Sequence, residues 1–324
     1  MRCSFSLKMP LMRGETADPH SGEGDALPPF PAIHLAVTEN LPEYTLLDSG
    51  HGRKLERFGR VTVDRPEPQA LWSPRLEATL WQGADGFFES AGDGEKGRWR
   101  LQGAPPESWP MVIDGLPMTC RFGSFCHLGI FPEQYPHWQW MIRRIRGLGG
   151  QKPRLLNLFG HTGVASVLAA AAGAEVTHVE ASRQAIAWAR LNQSSAGLEK
   201  APIRWILEDA RAFAAREARR GRTYHGLMLD PPKFGRGPGG EVWHLFQDLP
   251  DLLRTSERLL EPGEAFLILT TYAVRASCLS FDALVREILA GRGGHCESGE
   301  LVVREAQGGR ALSTSLFTRW ESHG

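Results

Sequence analysis

Two short segments, each directly after an apolar strand-like run, carry the residues best suited to chemistry. The first is Leu158-Phe159-Gly160-His161-Thr162-Gly163, where the glycines allow a tight turn and let a ligand approach the N-terminus of the Ala-rich helix that follows. The second is Asp230-Pro231-Pro232-Lys233-Phe234. Because proline fixes φ and lacks an N–H, this segment stays extended, and two of its carbonyls have no ladder partners. With the Asp230 carboxylate, they can accept hydrogen bonds from an amino group or a base edge.

Two further acids stand where strands are expected to end. Glu180 ends the second strand about 20 residues after Gly160, the separation at which an acid meets ribose hydroxyls in nucleotide-binding sheets. Asp209 ends the third strand. Ligands of open α/β sheets bind beyond the carboxyl ends of the strands, so these acids are candidate ligand contacts. A simpler interpretation also stands: the loop is only a tight turn, the acids are helix N-caps and the Pro-Pro pair merely ends a strand.

The glycine pattern narrows the class of ligand. A dinucleotide fingerprint needs three glycines, and here Thr162 and Ala165 occupy the second and third positions. The second glycine is the one that admits a pyrophosphate, so the loop is poor for NAD. A ligand with a ribose but no phosphate fits better, and S-adenosylmethionine is such a ligand. A nicotinamide oxidoreductase is the weaker alternative.

Composition describes an ordinary globular chain. The sequence has 324 residues, of which 42% are hydrophobic, and its 37 Lys and Arg balance 37 Asp and Glu. No whole-molecule field therefore attracts nucleic acid or anionic membrane, and any RNA contact must be local. No run approaches the length of a membrane span, no signal peptide is visible, and the five scattered cysteines and the histidines lack metal-ligand spacing. We expect a cytoplasmic protein without membrane or metal.

The segments predict three regions. Residues 1–40 lack apolar periodicity, and we expect a disordered tail there. Residues 41–135 form short strand-like runs, with Asp114-Gly115 as a strong signal for a two-residue hairpin turn, and predict a small β-rich domain. From 136 to 324, strand-like and helix-like segments alternate, which predicts a doubly wound parallel α/β sheet; the last two strands follow each other directly and so should be antiparallel.

Several runs of the sequence resemble a known enzyme family. The runs LLNLFGHTGVAS, VEAS, LEDA and LDPPKF resemble the class I S-adenosylmethionine-dependent methyltransferases of the bacterial large-subunit rRNA cytosine-C5 methyltransferase-like family. HLGIFPEQ, from His127 to Gln134, is similar to the family segment that closes over the donor, and the resemblance covers about residues 120 to 275. It implies a Rossmann-like sheet of seven strands with an antiparallel last hairpin, S-adenosylmethionine as cofactor, an RNA substrate and, in many relatives, a homo-oligomer.

The resemblance also implies roles for individual residues. Gly160 and Gly163 would line the methionine moiety, Glu180 the ribose and Asp209 the adenine amino group. The catalytic set would be Asp230, Pro231, Pro232 and Lys233, with Lys233 steering an anionic substrate. The cofactor-binding set would be Phe131, Gln134, Asn157, Phe159, Gly160, His161, Thr162, Gly163, Glu180, Ala181, Ser182, Asp209, Ala210 and Asp230. Two mild departures are His161 in place of the family's Tyr and Glu133 in place of Asp.

The larger departure concerns the nucleophile. Cytosine-C5 methylation needs a thiolate that adds to the ring, and the family carries that cysteine just after the fifth strand. Here Ala273 stands in its place, and Cys278 is five residues further on. We therefore expect methylation without a covalent intermediate, as at an exocyclic amine or a ring nitrogen. Methylation of a protein or a small molecule, and a non-catalytic donor-binding protein, are the alternatives.

Two arginine clusters have two interpretations. Arg143, Arg144 and Arg146 precede the first loop, and Arg216, Arg219, Arg220 and Arg222 follow the third strand. A solvated helix face is the plainer interpretation of each cluster. Phosphate contact with RNA is the functional one, and it predicts an affinity that falls steeply with salt.

Overall fold

The computed structural model describes residues 31–91, 96–149 and 152–322. Most of the predicted tail, residues 1–30, lies outside this part of the chain, but its predicted end at residue 40 is wrong. Residues 33–37 form a strand whose backbone pairs with a strand near the C-terminus. The first part of the chain consists of β1 (Ile33–Val37), β2 (Tyr44–Gly50), β3 (Arg53–Phe58), β4 (Val61–Pro66), the short α1 (Ala78–Gln82), β5 (Gly86–Ser90), β6 (Gly97–Leu101), β7 (Ser108–Ile113) and β8 (Leu116–Arg121).

Strands β2 to β8 form two small sheets. β2 to β6 make a five-stranded sheet, and β7 and β8 make a separate hairpin. Asp114 and Gly115 join β7 to β8 with φ of 50° and 81°. Both values lie in the left-handed region that a type I′ turn requires, which explains the Asp-Gly pair and confirms the hairpin prediction.

The second part alternates strands and helices, as the apolar pattern predicts. A short 3-10 turn at Pro132–Gln134 leads into it. Its elements are α2 (Tyr135–Gly147), β9 (Arg154–Leu158), α3 (Val164–Ala171), β10 (Glu175–Glu180), α4 (Arg183–Ser195), β11 (Ile203–Leu207), α5 (Ala210–Arg219), β12 (Gly226–Leu229), β13 (Phe234–Arg236), β14 (Val242–His244), α6 (Leu245–Glu257), β15 (Phe266–Thr271), α7 (Cys278–Leu289), β16 (His295–Arg304) and β17 (Ala311–Glu321).

One large sheet organises this half of the chain. Within the described residues its order is β1-β16-β17-β15-β12-β9-β10-β11, and β17 runs antiparallel to both of its neighbours. The expected seven strands and antiparallel last hairpin are present, and β1 adds an eighth strand at the edge. Chain order reverses between β9 and β12, and at such a switch point a crevice opens beyond the strand ends.

Both faces of the sheet are covered. Along β12, Leu227 and Leu229 belong to one apolar core while Met228 belongs to the other. Side chains of a strand alternate between faces, so a strand buried on both sides is apolar throughout. Phe213 of α5 lies in the first core and Leu168 of α3 in the second, which fits helices on opposite faces.

The β-rich region shares the second of these cores. Trp109 and Met111 of β7 are buried in the same cluster as Met141 of α2 and Leu168 of α3. From residue 31 onward the chain is one compact unit, so the boundary predicted between residues 135 and 136 is a change of architecture within a common core. No helix among the described residues is long and apolar enough to cross a bilayer.

Candidate active site

The predicted site residues meet at one edge of the large sheet. The first loop follows β9, Glu180 ends β10, Asp209 follows β11 and Asp230 follows β12. The four strands are parallel neighbours, so their carboxyl ends lie side by side. Parallel pairing therefore brings together acids that are distant in sequence, at the switch point where a ligand crevice is expected.

The backbone of the first loop is held in an uncommon conformation. Phe159 and His161 have φ of 58° and 49°, the left-handed region that non-glycine residues seldom occupy. The His161 N–H donates to Glu180 Oε2 at 2.9 Å, and the Gly160 N–H donates to the Val179 carbonyl at 3.2 Å. Two such residues in one turn mark a constrained loop, a feature that clusters at ligand sites.

A chain of buried polar side chains supports this loop from below. Asn157 Nδ2 lies 3.0 Å from Ser166 Oγ, which lies 3.0 Å from His178 Nδ1. A Cβ on Gly160 would come within 2.4 Å of His178 Cε1, so this position requires glycine. Asn157, predicted to touch the cofactor, is buried and bonded to Ser166; its amide helps to fix the loop.

Glu180 is oriented by the backbone around it. Oε2 accepts the His161 N–H at 2.9 Å, and Oε1 accepts the Ser182 N–H at 2.8 Å. Burial raises the pKa of Glu180, while these N–H bonds act against the rise. Each carboxylate oxygen keeps a lone pair after these bonds, so the group can also accept two vicinal hydroxyls. Ala181, between Glu180 and Ser182 in the chain, is partly buried.

Asp209 is the N-cap residue of α5. It caps α5 by accepting the Ala212 N–H at 3.0 Å, so the N-cap interpretation is right for this acid. Ala210, in the first turn of α5, is buried. For Glu180 the cap interpretation is wrong, because α4 is capped by Ser182, whose hydroxyl accepts the Ala185 N–H at 3.2 Å.

The segment before α2 closes against the same edge. Gln134 Nε2 donates to Asp230 Oδ2 at 3.0 Å, and Thr270 Oγ1 donates to Gln134 Oε1 at 3.3 Å. The Phe131 ring meets the His161 ring edge-on at 5.3 Å. Thr162 is buried, and its hydroxyl donates to the Gly129 carbonyl. Phe131 and Gln134 therefore lie against the first loop and the Asp-Pro-Pro-Lys segment, respectively.

Two imidazoles line this contact, that of His161 from the predicted cofactor-binding set and that of His127, which lies outside that set. The ring of His127 meets the ring of His161 at 4.8 Å, edge to face. Burial lowers the pKa of His127 to about 3 and that of His161 to about 4. Both rings are therefore neutral near pH 7, and they add aromatic surface here without adding charge.

Asp230 is the most unusual carboxyl group at this edge. Within the described part of the chain, its Oδ1 is buried and has no hydrogen-bond partner. Burial, and after it the neighbouring charge of Glu133, raise the pKa of Asp230 to about 7. A buried acceptor without a partner is rare in folded proteins, and with a pKa near neutrality it is typical of functional sites.

The prolines and Lys233 are fixed by the hairpin of β13 and β14. The Trp243 indole N–H donates to the Pro232 carbonyl at 2.7 Å, and its ring packs on Phe159 at 5.0 Å. The Leu245 N–H donates to the Lys233 carbonyl at 3.1 Å, and the Lys233 side chain is exposed. Pro231, within the same segment, is buried. The hairpin thus joins the first loop to the Asp-Pro-Pro-Lys segment, which the sequence did not reveal.

Comparison with known proteins decides the family. A family model described as S-adenosylmethionine-dependent methyltransferase matches residues 91–290. The chain belongs to this family. The crystal structure of an S-adenosylmethionine-dependent methyltransferase from Agrobacterium tumefaciens is 50% identical, with 90% of this chain and 95% of that chain covered and a TM-score of 0.86. A methyltransferase from Streptococcus mutans, 17% identical with a TM-score of 0.67, shares the fold over 87% of this chain and 76% of its own.

Curated relatives carry a more specific name. The ribosomal RNA large subunit methyltransferase K/L of Desulfotalea psychrophila is 29% identical over 178 residues, or 54% of this chain and 24% of that protein. The protein of the same name from Allochromatium vinosum is 30% identical over 151 residues, or 46% of this chain and 20% of that protein. This chain thus spans about a quarter or less of the length of these relatives.

The described residues fit the donor. S-adenosylmethionine supplies an electrophilic methyl group on a sulfonium sulfur, together with a ribose and an amino-acid carboxylate. Glu180 offers two oriented oxygens to a diol, and the N-terminus of α3, with Gly163 as its N-cap residue, offers N–H groups to a carboxylate. The partnerless oxygen of Asp230 offers an acceptor at the same edge. Among the described residues, no group of three or more His, Cys, Asp or Glu side chains is placed to hold a metal ion.

Proposed function

We propose that this methyltransferase modifies RNA, and that the acceptor atom attacks the methyl group directly, without a covalent bond to the enzyme. The names of the curated relatives support RNA as the substrate class. The acceptor would be an exocyclic amine or a ring nitrogen of a base. This proposal assigns Asp230 to the reaction and leaves the cysteines out of it.

The environment of the thiols carries the second half of the proposal. Ala273 occupies the position of the family nucleophile and has φ of 54°, with its side chain exposed. Cys278 is the first residue of α7 and is only 4% exposed. The helix holds this thiol in the packed core, so it cannot add to a base without a rearrangement of α7.

The proposed contacts distribute the donor along the strand ends. Glu180 would bind the ribose, Asp209 the adenine amino group, and the loop from Gly160 to Gly163 the methionine part. Ser182 and Ala210, beside these acids, would border the adenosine. Phe131 and Gln134 would cover the donor, and Gln134 would also hold the Asp230 carboxylate in place through its hydrogen bond at 3.0 Å. Placement of this kind accounts for much of the rate of a methyl transfer.

Asp230 would then act in one of two related ways. An exocyclic amine loses a proton when it is methylated, and a carboxylate with a pKa of about 7 is well matched to accept it. A ring nitrogen gains positive charge instead, which the carboxylate and the carbonyl of Pro231 would stabilise. In both cases the partly exposed Asp230 carboxylate is the group that meets the acceptor.

The test is nucleoside mass spectrometry on rRNA from a strain that lacks the gene, compared with the same strain after complementation. The proposal predicts that one methylated nucleoside is lost and then restored, and that the purified enzyme transfers label from the donor to rRNA of the deletion strain. Unchanged rRNA combined with label transfer to protein or to a small molecule would overturn the RNA assignment. Donor binding without any transfer would favour the non-catalytic alternative.

Removal of the thiols should leave the reaction intact. Cys278→Ala, and Cys126→Ser in the segment before Phe131, should transfer methyl groups at the wild-type rate, because neither sulfur forms a bond during the reaction. Label transfer to rRNA under single-turnover conditions measures this directly. A loss of transfer in either variant, together with a covalent enzyme–RNA adduct in the wild type under denaturing electrophoresis, would contradict the direct mechanism.

The homo-oligomer and the cytoplasmic location stay predictions.

A further inference from the structure

We propose that the exposed face of the β13–β14 hairpin, formed by Phe234, Arg236, Val242 and His244, is a stacking platform for an unpaired RNA base next to the reacting one. This inference rests on the proposed RNA substrate and adds the part of the enzyme that would hold it. The hairpin begins directly after the Asp-Pro-Pro-Lys segment. Any strand of RNA that delivers a base to Asp230 must therefore pass close to it.

The register of the hairpin puts these four side chains on one face. Phe234 is opposite His244, Gly235 opposite Trp243, and Arg236 opposite Val242. Side chains alternate along a strand, so the first and third pairs share a face and Trp243 points to the other. Trp243 is 2% exposed, whereas Phe234 is 50% exposed. The buried face of the hairpin holds the loop after β9, and the other face is open.

The hairpin is held firmly in place. Trp243 bonds to the Pro232 carbonyl and packs on Phe159, as described above. Arg211 of α5 donates to the Val242 carbonyl at 2.7 Å and to Asp248 Oδ1 at 2.6 Å. A rigid platform loses little conformational entropy when a base stacks on it, which favours binding.

The chemistry of the open face suits RNA. The rings of Phe234 and His244 meet edge to face at 5.1 Å, and the Arg236 guanidinium lies 6.0 Å from the Phe234 ring centre. Lys233 and Arg236 form no salt bridge within the described residues, and the nearby Glu241 is engaged with the Gly239 N–H. Aromatic rings beside unpaired cations match the bases and phosphates of a single strand.

The arginine cluster of α5 is less suited to this task. α5 starts at the catalytic edge and runs back, so Arg219 and Arg220 at its C-terminus lie near the opposite edge of the sheet. Arg216 is paired with Glu208, and Arg220 with Glu217. Arg219 is exposed there and serves as a matched control.

The experiment compares Phe234→Ala, Phe234→Trp and Arg236→Ala with two controls. These are Arg219→Ala and Leu71→Ala, the latter at an apolar side chain of the β-rich region that is 86% exposed. The probe is a fluorescein-labelled oligoadenylate of about 12 nucleotides, alone or annealed to oligouridylate, followed by anisotropy. Phe234→Ala should raise the Kd for the single strand about tenfold, and Phe234→Trp should restore it. Arg236→Ala should reduce the slope of log K against log salt by about 0.7. The apparent KM for rRNA from the deletion strain should rise in parallel.

The outcomes separate this inference from the proposed function. Wild-type protein that methylates rRNA while Phe234→Ala and Arg236→Ala behave like the wild type overturns the platform and leaves the RNA substrate standing. A loss of affinity in Arg219→Ala alone would assign the RNA contact to the C-terminal end of α5 and would also overturn the platform. Wild-type protein that neither binds the single strand nor methylates rRNA overturns both. Unchanged donor affinity in every variant shows that the defect lies on the RNA side.

Discussion

Asp230→Asn should lower kcat/KM for the RNA substrate by about two to four orders of magnitude. An amide keeps the size of the side chain and can still accept the Gln134 N–H, but it can neither take a proton nor balance a developing positive charge. Donor affinity should change little, since the Glu180 carboxylate is untouched. Single-turnover label transfer with saturating donor measures the rate, and calorimetry with S-adenosylmethionine measures the affinity.

The pH profile gives the same prediction a second readout. The pKa of Asp230 is raised to about 7, so the reactive carboxylate forms only as the pH passes through that value. Wild-type kcat/KM should therefore rise with pH, reach half of its maximum near pH 7 and level off above it. The residual activity of Asp230→Asn should not show this rise with pH. A wild-type profile that is flat between pH 5 and 9 would contradict the assignment.

Stability should move in the opposite direction to activity. The folded pKa of Asp230 lies above the unfolded value of 3.8, so the folded state holds its proton more tightly, and this group costs stability as pH rises from about 4 to about 7. At pH 8, Asp230→Asn should be more stable to urea by about 1 to 3 kcal/mol, and at pH 4 the gain should vanish. Asp251→Asn, at a carboxylate whose side chain is 84% exposed, is the matched control and should show neither effect.

The residues at the strand ends could be predicted from the sequence, whereas the contacts that hold them in place could not. Gly160, Glu180 and Asp230 could be placed from sequence, because parallel strands with helical crossovers must present their carboxyl ends at one edge. The bond from Gln134 to Asp230 joins residues far apart in the chain, and only the three-dimensional packing brings them together.

Local context explains the remaining differences. The support of Gly160 by His178 involves two residues whose spacing carries no motif. Strand β1 escaped prediction because its run of five residues, Ile33–Val37, is short and follows a Pro-rich stretch. Its pairing with β16 depends on the partner strand and not on its own pattern.

Glu180→Gln should raise the Kd for S-adenosylmethionine about 10- to 100-fold, although it changes only one atom type. Both carboxylate oxygens already accept a backbone N–H, from His161 and from Ser182. A glutamine can offer its single oxygen to one of them and must turn its NH2 group toward the other, so one N–H loses its acceptor and the diol loses a charged partner. Calorimetric titration with the donor measures the affinity.

Glu180→Gln should also change the stability of the protein without ligand, which a pure loss of ligand contact would not do. The His161 N–H donates to Glu180 Oε2 while His161 has a left-handed φ of 49°. We expect the acceptor lost in Glu180→Gln to outweigh the relief of removing a buried charge, so the free energy of unfolding without ligand should fall by about 1 to 2 kcal/mol. Glu175→Gln is the matched control, because Glu175 begins the same strand at the opposite edge, where its side chain is 47% exposed. Equal effects of the two variants on donor affinity would refute the role of Glu180. A weakened affinity at unchanged stability would keep the ribose contact but disprove that Glu180 holds the loop, since the loop would then keep its shape without the carboxylate.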